Sequence, residues 1–345
     1  MIKDLLIKYY DIVEQYSKLE QLNCDFSTLE FNEDKYCISL SGGVDSMVLM
    51  DILYKRGKEI IAIHINYNNR DESKMEEDFL REYCESKNIT FLCHSFNFKR
   101  GSIKRSEYES LTKQIKFKLY KSILLEYNLN YILLAHHKDD IIENIFTNFC
   151  RGENFLNLSV IKYSNIIMDV NIVRPLIDYY KNDIYDYAHF YEVPYFLDTT
   201  PDWSVRGKFR RAILPKLCDT FSGPTRLKNN LLSIAKESDE WGTLIQTRFI
   251  NKYLQLIKYN ETTAEMPIVT DNEDYSEFPM CFWNIVIGKV FHKFGKCAPS
   301  RKSLDIFITA LKNKKNQNDF QILLKHRTKL IIQKNIISIN INQLR

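Results

Sequence analysis

Between residues 36 and 150, short unbroken apolar runs alternate with segments whose apolar residues recur at helical spacing. Few folds accommodate that rhythm. The runs Tyr36 to Leu40, Glu59 to Tyr67, Ile89 to Phe96 and Tyr131 to His136 are strand-length and continuous, not alternating. Such strands are buried on both faces, which implies a parallel sheet covered by helices. The covering helices are expected over residues 47–57, stopped by Gly57, and over Lys74 to Lys87, Tyr108 to Tyr127 and Asp139 to Cys150. In an α/β fold of this kind, ligands gather at the carboxyl ends of the strands. Here those ends carry SGGVDS, HINYNNR and AHHKDD, polar segments that packing does not explain.

The chain of 345 residues is too long for one typical domain and suits two. Residues 1 to about 30 read as one or two amphipathic helices, and Arg174 to Leu217 form a stretch rich in proline (Pro175, Pro194, Pro201, Pro215). Beyond about residue 220 the βαβ rhythm stops. Helical patterns follow, then a polar stretch from Asn260 to Glu277, more helix, and two strand-like runs, Gln321 to Leu324 and Leu330 to Ile339. A second, smaller α+β domain is therefore expected, with the division placed at 1–217 and 218–345.

A hydrophobic share of 45% fills real cores. No apolar run approaches the ~18–20 residues a membrane span needs, and the N-terminus lacks a signal-peptide core, so no membrane is expected and the protein is read as cytoplasmic. The 8 cysteines are scattered (Cys24, Cys37, Cys84, Cys93, Cys150, Cys218, Cys281, Cys297) without a C-x-x-C pair, which favours buried reduced thiols over zinc or a disulfide framework. Net charge is only +4, but basic residues cluster at Lys99/Arg100/Lys104/Arg105, Arg206/Lys208/Arg210/Arg211 and Lys293/Lys296/Arg301/Lys302. Such runs are usually solvated faces, and these permit a phosphate-rich partner.

The segment SLSGGVDSMVL, residues 39–49, is a strand leading through a Ser/Gly turn into a helix. Gly42 and Gly43 let the backbone approach a ligand, the free N–H groups before Val44 face an anion at the helix N-terminus, and Ser41 and Ser46 add hydroxyls. No G-K-[ST] closes it as in a Walker loop, and G-x-G-x-x-G is absent. Asp45 inside an anion site makes sense beside a cation, and Mg²⁺ held between a pyrophosphate and Asp45 supplies one. An ordinary tight turn is the competing explanation.

The loop resembles the pyrophosphate (PP) loop of the adenine-nucleotide α-hydrolase-like enzymes, which implies a parallel-sheet domain that binds ATP. Four further segments resemble the tRNA(Ile)-lysidine synthetases. HINYNNRDES, residues 64–73, is similar to H-x-N-H-x-x-R, with Tyr67 for the second His; in that family this strand holds adenine, which implies Ile63 and His64 here. AHHKDDIIENIFTNFCRG, residues 135–152, resembles A-H-H-x-D-D-x-x-E-T…R-G, with Asn144 for Thr. ESLTKQIKFKLY, residues 109–120, is similar to E-A-x-A-R-x-x-R-Y, with Lys113 and Lys116 for the arginines. RPLIDYYKNDI and PYFLDTTPDWSVRGKFRRAILPKL resemble R-P-L…R-x-x-I and P…D-x-[ST]-N…R-N-x-I-R…P-x-L, with Arg174, Asp198, Arg206, Arg210 and Pro215 matching and Gly207 for Asn.

The resemblance implies a ligase. ATP and Mg²⁺ adenylate C2 of a wobble cytidine, free L-lysine attacks, and AMP and pyrophosphate leave. Its partner is tRNA, tRNA(Ile) with a CAU anticodon, and a homodimer is compatible with it. It implies catalytic roles for Asp45, Lys113, Lys116, Asp139, Asp140 and Glu143. ATP falls to Ser41, Gly42, Gly43, Val44, Asp45, Ser46, Ile63, His64 and His136, and tRNA to Arg151, Arg174, Arg206 and Arg210. Read without the family, two His and two Asp at residues 136–140 also suit a metal, although no H-E-x-x-H spacing appears. A PP-loop tRNA thiolase is the runner-up function, disfavoured by the lack of paired cysteines. A tRNA-binding protein without catalysis is the third.

Overall fold

The computed structural model describes residues 22, 24–68, 73–96, 104–196, 204–221, 223–313, 320–324, 328–333 and 335–340. The expected helices over residues 1–21, Lys99 and Arg100 of the first basic cluster, Arg70 of the second-strand motif, and Asp198 and Pro201 lie outside these residues. Residues 24–34 form no helix. There the Asp25 carboxylate accepts from the Ser27 N–H at 2.7 Å, a local side-chain bond that competes with helix. The chain divides into two compact units: Met1–Gly152 with Leu158–Ala235, and Glu153–Asn157 with Lys236–Arg345.

The first unit is the expected α/β domain. Its strands are β1 (Lys35–Ser39), β2 (Glu59–Asn66), β3 (Thr90–Ser95), β4 (Ile132–Leu133), β5 (Ser164–Ile167) and β6 (Val170–Val173), in the sheet order β3-β2-β1-β4-β6-β5. All neighbours run parallel except β5, which pairs antiparallel with β6 at the edge. The helices are α1 (Val44–Lys55), α2 (Ser73–Ser86), α3 (Arg105–Glu126), α4 (Lys138–Arg151) and α5 (Lys181–Phe190).

The strands read as continuous apolar runs because both faces are covered. Ile38 and Leu40 pack with Met47, Val48 and Leu49 of α1. Cys37, Ile61 and Ile63 pack on the other side with Phe117 and Tyr120 of α3. Burying a large apolar side chain contributes about 1.5–3 kcal/mol, so both layers hold the sheet.

The fourth strand is shorter than expected. It pairs only through Ile132 and Leu133, after which Leu134 donates to Val173 O (2.9 Å) and the chain turns toward α4. The β5–β6 hairpin has no counterpart among the expected elements. Its turn residues Met168 and Asp169 have φ of 49° and 63°, the left-handed pair of a tight hairpin turn. Met-Asp does not advertise that turn as Asn-Gly would.

The second unit holds a five-stranded antiparallel sheet, in the order β7 (Lys258–Tyr259), β8 (Thr263–Pro267), β11 (Ile336–Asn340), β10 (Thr328–Gln333), β9 (Phe320–Leu324). Tyr253, Trp283, Phe291 and Phe307 are fully buried in its core. Part of the polar stretch is strand: in β8, Ala264 and Met266 are buried and Glu265 is exposed, the alternation of a sheet covered on one face. The terminal run is two strands, paired Leu330 to Ile339. No helix among the described residues is long and apolar enough to cross a membrane. Of the cysteines expected to be buried, Cys150, Cys281 and Cys297 are exposed.

Candidate active site

The strand order reverses between β1 and β4, since β2 and β3 lie to one side of β1 and β6 and β5 to the other side of β4. At such a switch point the loops leaving adjacent strands diverge and leave a crevice. SGGVDS leaves β1 and AHHKDD leaves β4, so the topology brings the two most polar motifs to one place. Between them lies a cavity of about 470 Å³, whose wall includes Ser41, Gly43, Val44, Asp45 and Ser46 from the first motif and His136 and Asp140 from the second. Lys116, Arg206 and Arg210 complete the expected part of the wall; Glu76, Lys181, Tyr185 and Phe196 were not foreseen.

The loop is braced by its own hydroxyls. Ser46 Oγ donates to Gly43 O (3.0 Å), lies 3.1 Å from Ser41 Oγ and accepts from the Ser41 N–H (3.2 Å). Gly42 has φ +84°, and its carbonyl accepts from Phe196 N–H at 2.9 Å. A Cβ at Gly42 would lie 2.5 Å from Phe196 Cδ2, so both the conformation and the space require glycine.

Asp45 opens α1 and faces the second motif. Lys181 Nζ donates to both of its oxygens at 2.7 Å, and His137 Nε2 lies 3.5 Å from its Oδ1. Lys181 is the first residue of α5 and stands over the Tyr185 ring, 5.3 Å from its centroid. In the sequence it holds the place of the arginine in R-x-x-I, a signal that could have found it. A carboxylate in the first turn of α1, beside the SGGVDS loop, suits Mg²⁺, which takes one or two carboxylates and completes its shell with phosphate oxygens and water. Among the described residues, no group of three or more His, Cys, Asp or Glu is placed to hold a metal ion by itself.

The carboxylates at the start of α4 have separate partners. Asp139 accepts from the Lys181 backbone N–H (2.8 Å) and from Lys228 Nζ, and does not line the cavity. Asp140 Oδ1 accepts from Arg210 Nη2 at 3.0 Å, and Glu143 accepts from Arg210 Nε at 2.8 Å and from Arg206 Nε. Spacing alone put Glu143 on the face of Asp139; in the fold it shares Arg210 with Asp140. A π-helical turn over Phe209–Ile213 carries Arg210, with Ser204 capping the preceding helix by accepting from Gly207 N–H. Burial would raise the Asp140 carboxyl, but His137, His136 and Arg210 outweigh it and hold it below the usual carboxylate range. His137 is 2% exposed, and among the described residues its Nδ1 has no hydrogen-bond partner.

His136 Nδ1 accepts from Arg174 Nε at 3.1 Å, and burial, opposed by Asp140 and reinforced by Arg174, pushes its pKa down to about 4. His136 is thus a neutral acceptor at neutral pH. Arg174, expected to meet tRNA, is 3% exposed and donates inward to Lys162 O (2.7 Å) and Asn165 Oδ1 (2.8 Å). A guanidinium so enclosed orients His136 and offers nothing to an RNA phosphate. Arg151, at the end of α4, is exposed. Lys116 is half-buried over the Tyr120 ring, and burial lowers its pKa; Lys113, on the same helix, is exposed and away from the cavity.

A second cavity of about 240 Å³ lies at the end of β2, lined by His64, Ile65, Asn66, Tyr67 and Ser73 together with Ser41 and Glu76, which also line the first. His64 Nδ1 lies 2.9 Å from Leu40 O, and burial lowers its pKa. Ile63 is fully buried, its carbonyl accepts from Leu40 N–H (2.8 Å), and it lines neither cavity.

Residues 13–217 match the PP-loop domain family. A tRNA(Ile)-lysidine synthase of Chlamydia muridarum is 27% identical over 231 residues, 66% of this chain and 71% of that protein. A bifunctional protein TilS/HprT of Listeria innocua is 28% identical over 193 residues, 54% of this chain. The chain spans 30% of the length of that relative. Among solved structures, the U34-tRNA thiolase NcsA of Methanococcus maripaludis aligns with TM-score 0.48 and 19% identity, covering 69% of this chain and 79% of that one.

Proposed function

The chain belongs to the PP-loop domain family, and from that premise we propose that it is a tRNA(Ile)-lysidine synthetase that cleaves ATP between the α- and β-phosphates. The observation that carries this reading is the meeting of the Asp45 loop and the Asp140 cluster in one cavity. A phosphate loop alone would suit any nucleotide. A carboxylate facing the same space adds a place for a cationic nucleophile.

In the first step the C2 oxygen of the wobble cytidine attacks the α-phosphorus, forming a C–O–P bond as pyrophosphate departs. The loop N–H groups and Ser41 and Ser46 receive the phosphates, and Lys181 moves its charge from Asp45 to the departing pyrophosphate. Mg²⁺ bound at Asp45 supplies further neutralisation of the phosphate charge. In the second step the ε-amine of free lysine attacks C2, the C–O bond to AMP breaks, and a proton leaves the amine. Asp140, the one carboxylate of the α4 cluster in the wall of the first cavity, suits the reception of the ammonium and of that proton. Arg206 and Arg210 keep the cluster neutral until the substrates arrive.

Arg206, 58% exposed, Arg151, and residues 218–345 with their basic patch at Lys293 and Arg301 suit contact with tRNA. Among the described residues, neither cavity has a cysteine in its wall, and the Asp140 carboxylate in the first wall suits a cationic second substrate such as lysine. The test is radiolabelled lysine with ATP and unmodified tRNA(Ile). Label in the RNA with AMP and pyrophosphate as products is expected. ADP as the main nucleotide product, or cysteine-dependent entry of sulfur in place of lysine, would refute the reading. Asp45→Asn should abolish turnover while leaving the fold intact.

A further inference from the structure

The two cavities share Ser41 and Glu76. The larger is built around the phosphate loop, and the smaller, about 240 Å³, lies among His64, Ile65 and Tyr67 at the end of β2. A nucleotide with its phosphates on the loop and its base in the smaller cavity must thread its sugar past that shared wall. Ser41 serves the loop, its hydroxyl lying 3.1 Å from Ser46 Oγ. Glu76 is the remaining shared group.

Glu76 is 8% exposed and sits in the first turn of α2, where the helix dipole favours a carboxylate. Its neighbour Glu77 has a different task. Glu77 accepts from Asn66 Nδ2 (3.0 Å) and Arg81 Nη2 (3.0 Å), and the Asn66 bond foremost lowers its pKa to about 2. Asn66 Nδ2 also donates to Ser73 O (3.3 Å), so the first turn of α2 is tied to the end of β2. Glu77 thus anchors the turn that holds Glu76 in the wall.

A carboxylate beside an anion-binding loop repels phosphate and has only acceptors to offer. The parts of a nucleotide that suit it are neutral and carry donors, the ribose diol and the adenine amino group, and the wall shared by the two cavities is where the ribose passes. We propose that Glu76 is the sugar-recognition residue of this site, accepting from the 2′- and 3′-hydroxyls of the bound nucleotide and setting its preference for a ribonucleotide. This rests on the ATP reading above.

The test is calorimetric titration of the full chain, without tRNA, with ATP, 2′-deoxyATP and 3′-deoxyATP in the presence of Mg²⁺. Each hydrogen bond to a charged acceptor is expected to favour ATP over the corresponding deoxynucleotide by about 10- to 100-fold in the wild type. Glu76→Ala should bring all three to one common level below that of the wild-type deoxynucleotides, with the largest loss for ATP, which gives up two bonds where each deoxynucleotide gives up one. Glu76→Gln, which keeps the size of the side chain, should shrink the ratio without abolishing it. A wild type indifferent to the sugar hydroxyls would overturn the proposal. So would a folded E76A or E76Q variant that keeps the full wild-type ratio. Absence of ATP binding by the wild type would refute the ATP reading and this inference together, whereas tight ATP binding with a sugar ratio insensitive to residue 76 would refute this inference alone.

Discussion

Lys181 Nζ is 2.7 Å from each carboxylate oxygen of Asp45, across 136 residues of sequence. The ammonium therefore holds the carboxylate in the first turn of α1. Both side chains are about a quarter exposed, at 23% and 26%, so the pair adds at most about 1 kcal/mol of stability. Its value lies in the charge it delivers to the loop. Lys181→Met should slow pyrophosphate release by about 100- to 1,000-fold, the cost of losing one preorganised donor to a developing charge. The melting temperature should barely move. Pyrophosphate production under single-turnover conditions checks this, and a K181M variant as fast as the wild type would remove Lys181 from the reaction.

Gly42→Ala meets two obstacles, the φ of +84° and the Phe196 ring 2.5 Å from the new Cβ. Together they should cost about 1–3 kcal/mol and displace the loop. The double variant G42A/F196A removes the overlap and leaves the φ penalty, so it should recover part of the stability lost. Thermal melts of the three proteins decide it: no difference between G42A and the double variant would place the whole cost in the backbone.

Arg210 bridges Asp140 and Glu143, which are 8% and 4% exposed. Arg210→Ala leaves two buried carboxylates short of a partner. Removing one member of a fully buried pair costs about 3–5 kcal/mol. Here Arg206 still reaches Glu143, and about 2–3 kcal/mol is expected. Arg210→Lys keeps the charge but cannot bridge both carboxylates, and should fall between. The urea midpoint at constant m-value reads this directly.

His136 is held at a pKa of about 4, against an ordinary value of 6.5. The unfolded chain therefore binds a proton in this interval that the folded chain does not, and stability must fall as pH drops from 6.5 toward 4. The contribution is complete above 6.5. Protonation also ends the acceptance of the Arg174 Nε bond. His136→Asn keeps an acceptor and removes the titration, so its denaturation midpoint should decline less over this window. An equal decline in both proteins would place the acid sensitivity elsewhere, in His64 or His189, whose burial also lowers their pKa from the ordinary imidazole value.

The fold of the first unit was legible because buried parallel strands leave an apolar signature that surface chemistry does not blur. Tyr36 to Leu40 and Glu59 to Tyr67 needed no context. The β5–β6 hairpin was illegible because Met168 and Asp169 adopt positive φ without glycine or asparagine. Within the site, the residues next to the motif glycines and histidines were readable from their local order. Glu76 and Phe196 enter through tertiary approach, which local spacing does not encode, whereas Lys181 had a local signal in the R-x-x-I place that went unused. Arg174 was misread for the converse reason: an arginine in a basic, motif-rich segment looks exposed until its partners His136 and Asn165 are seen.

The brevity of β4 has a mechanical consequence. Among the described residues, the β1–β2–β3 half of the sheet meets the β6–β5 half through the pairs Cys37↔Ile132 and Ile38↔Leu133 on one side and Ile132↔Ile172 and Leu133↔Val173 on the other, with the Leu134 N–H to Val173 O bond just beyond them. That seam is the thinnest join in the sheet, and breathing motions concentrate where cross-strand bonds are fewest. Asp45 rides on one side of it and the helix bearing Asp140 follows the seam strand itself. A molecule gripped by both acts as a rivet. Amide exchange at Ile132 and Leu133, which line neither cavity, should therefore slow when the crevice is filled, giving a reporter of occupancy buried in the middle of the sheet.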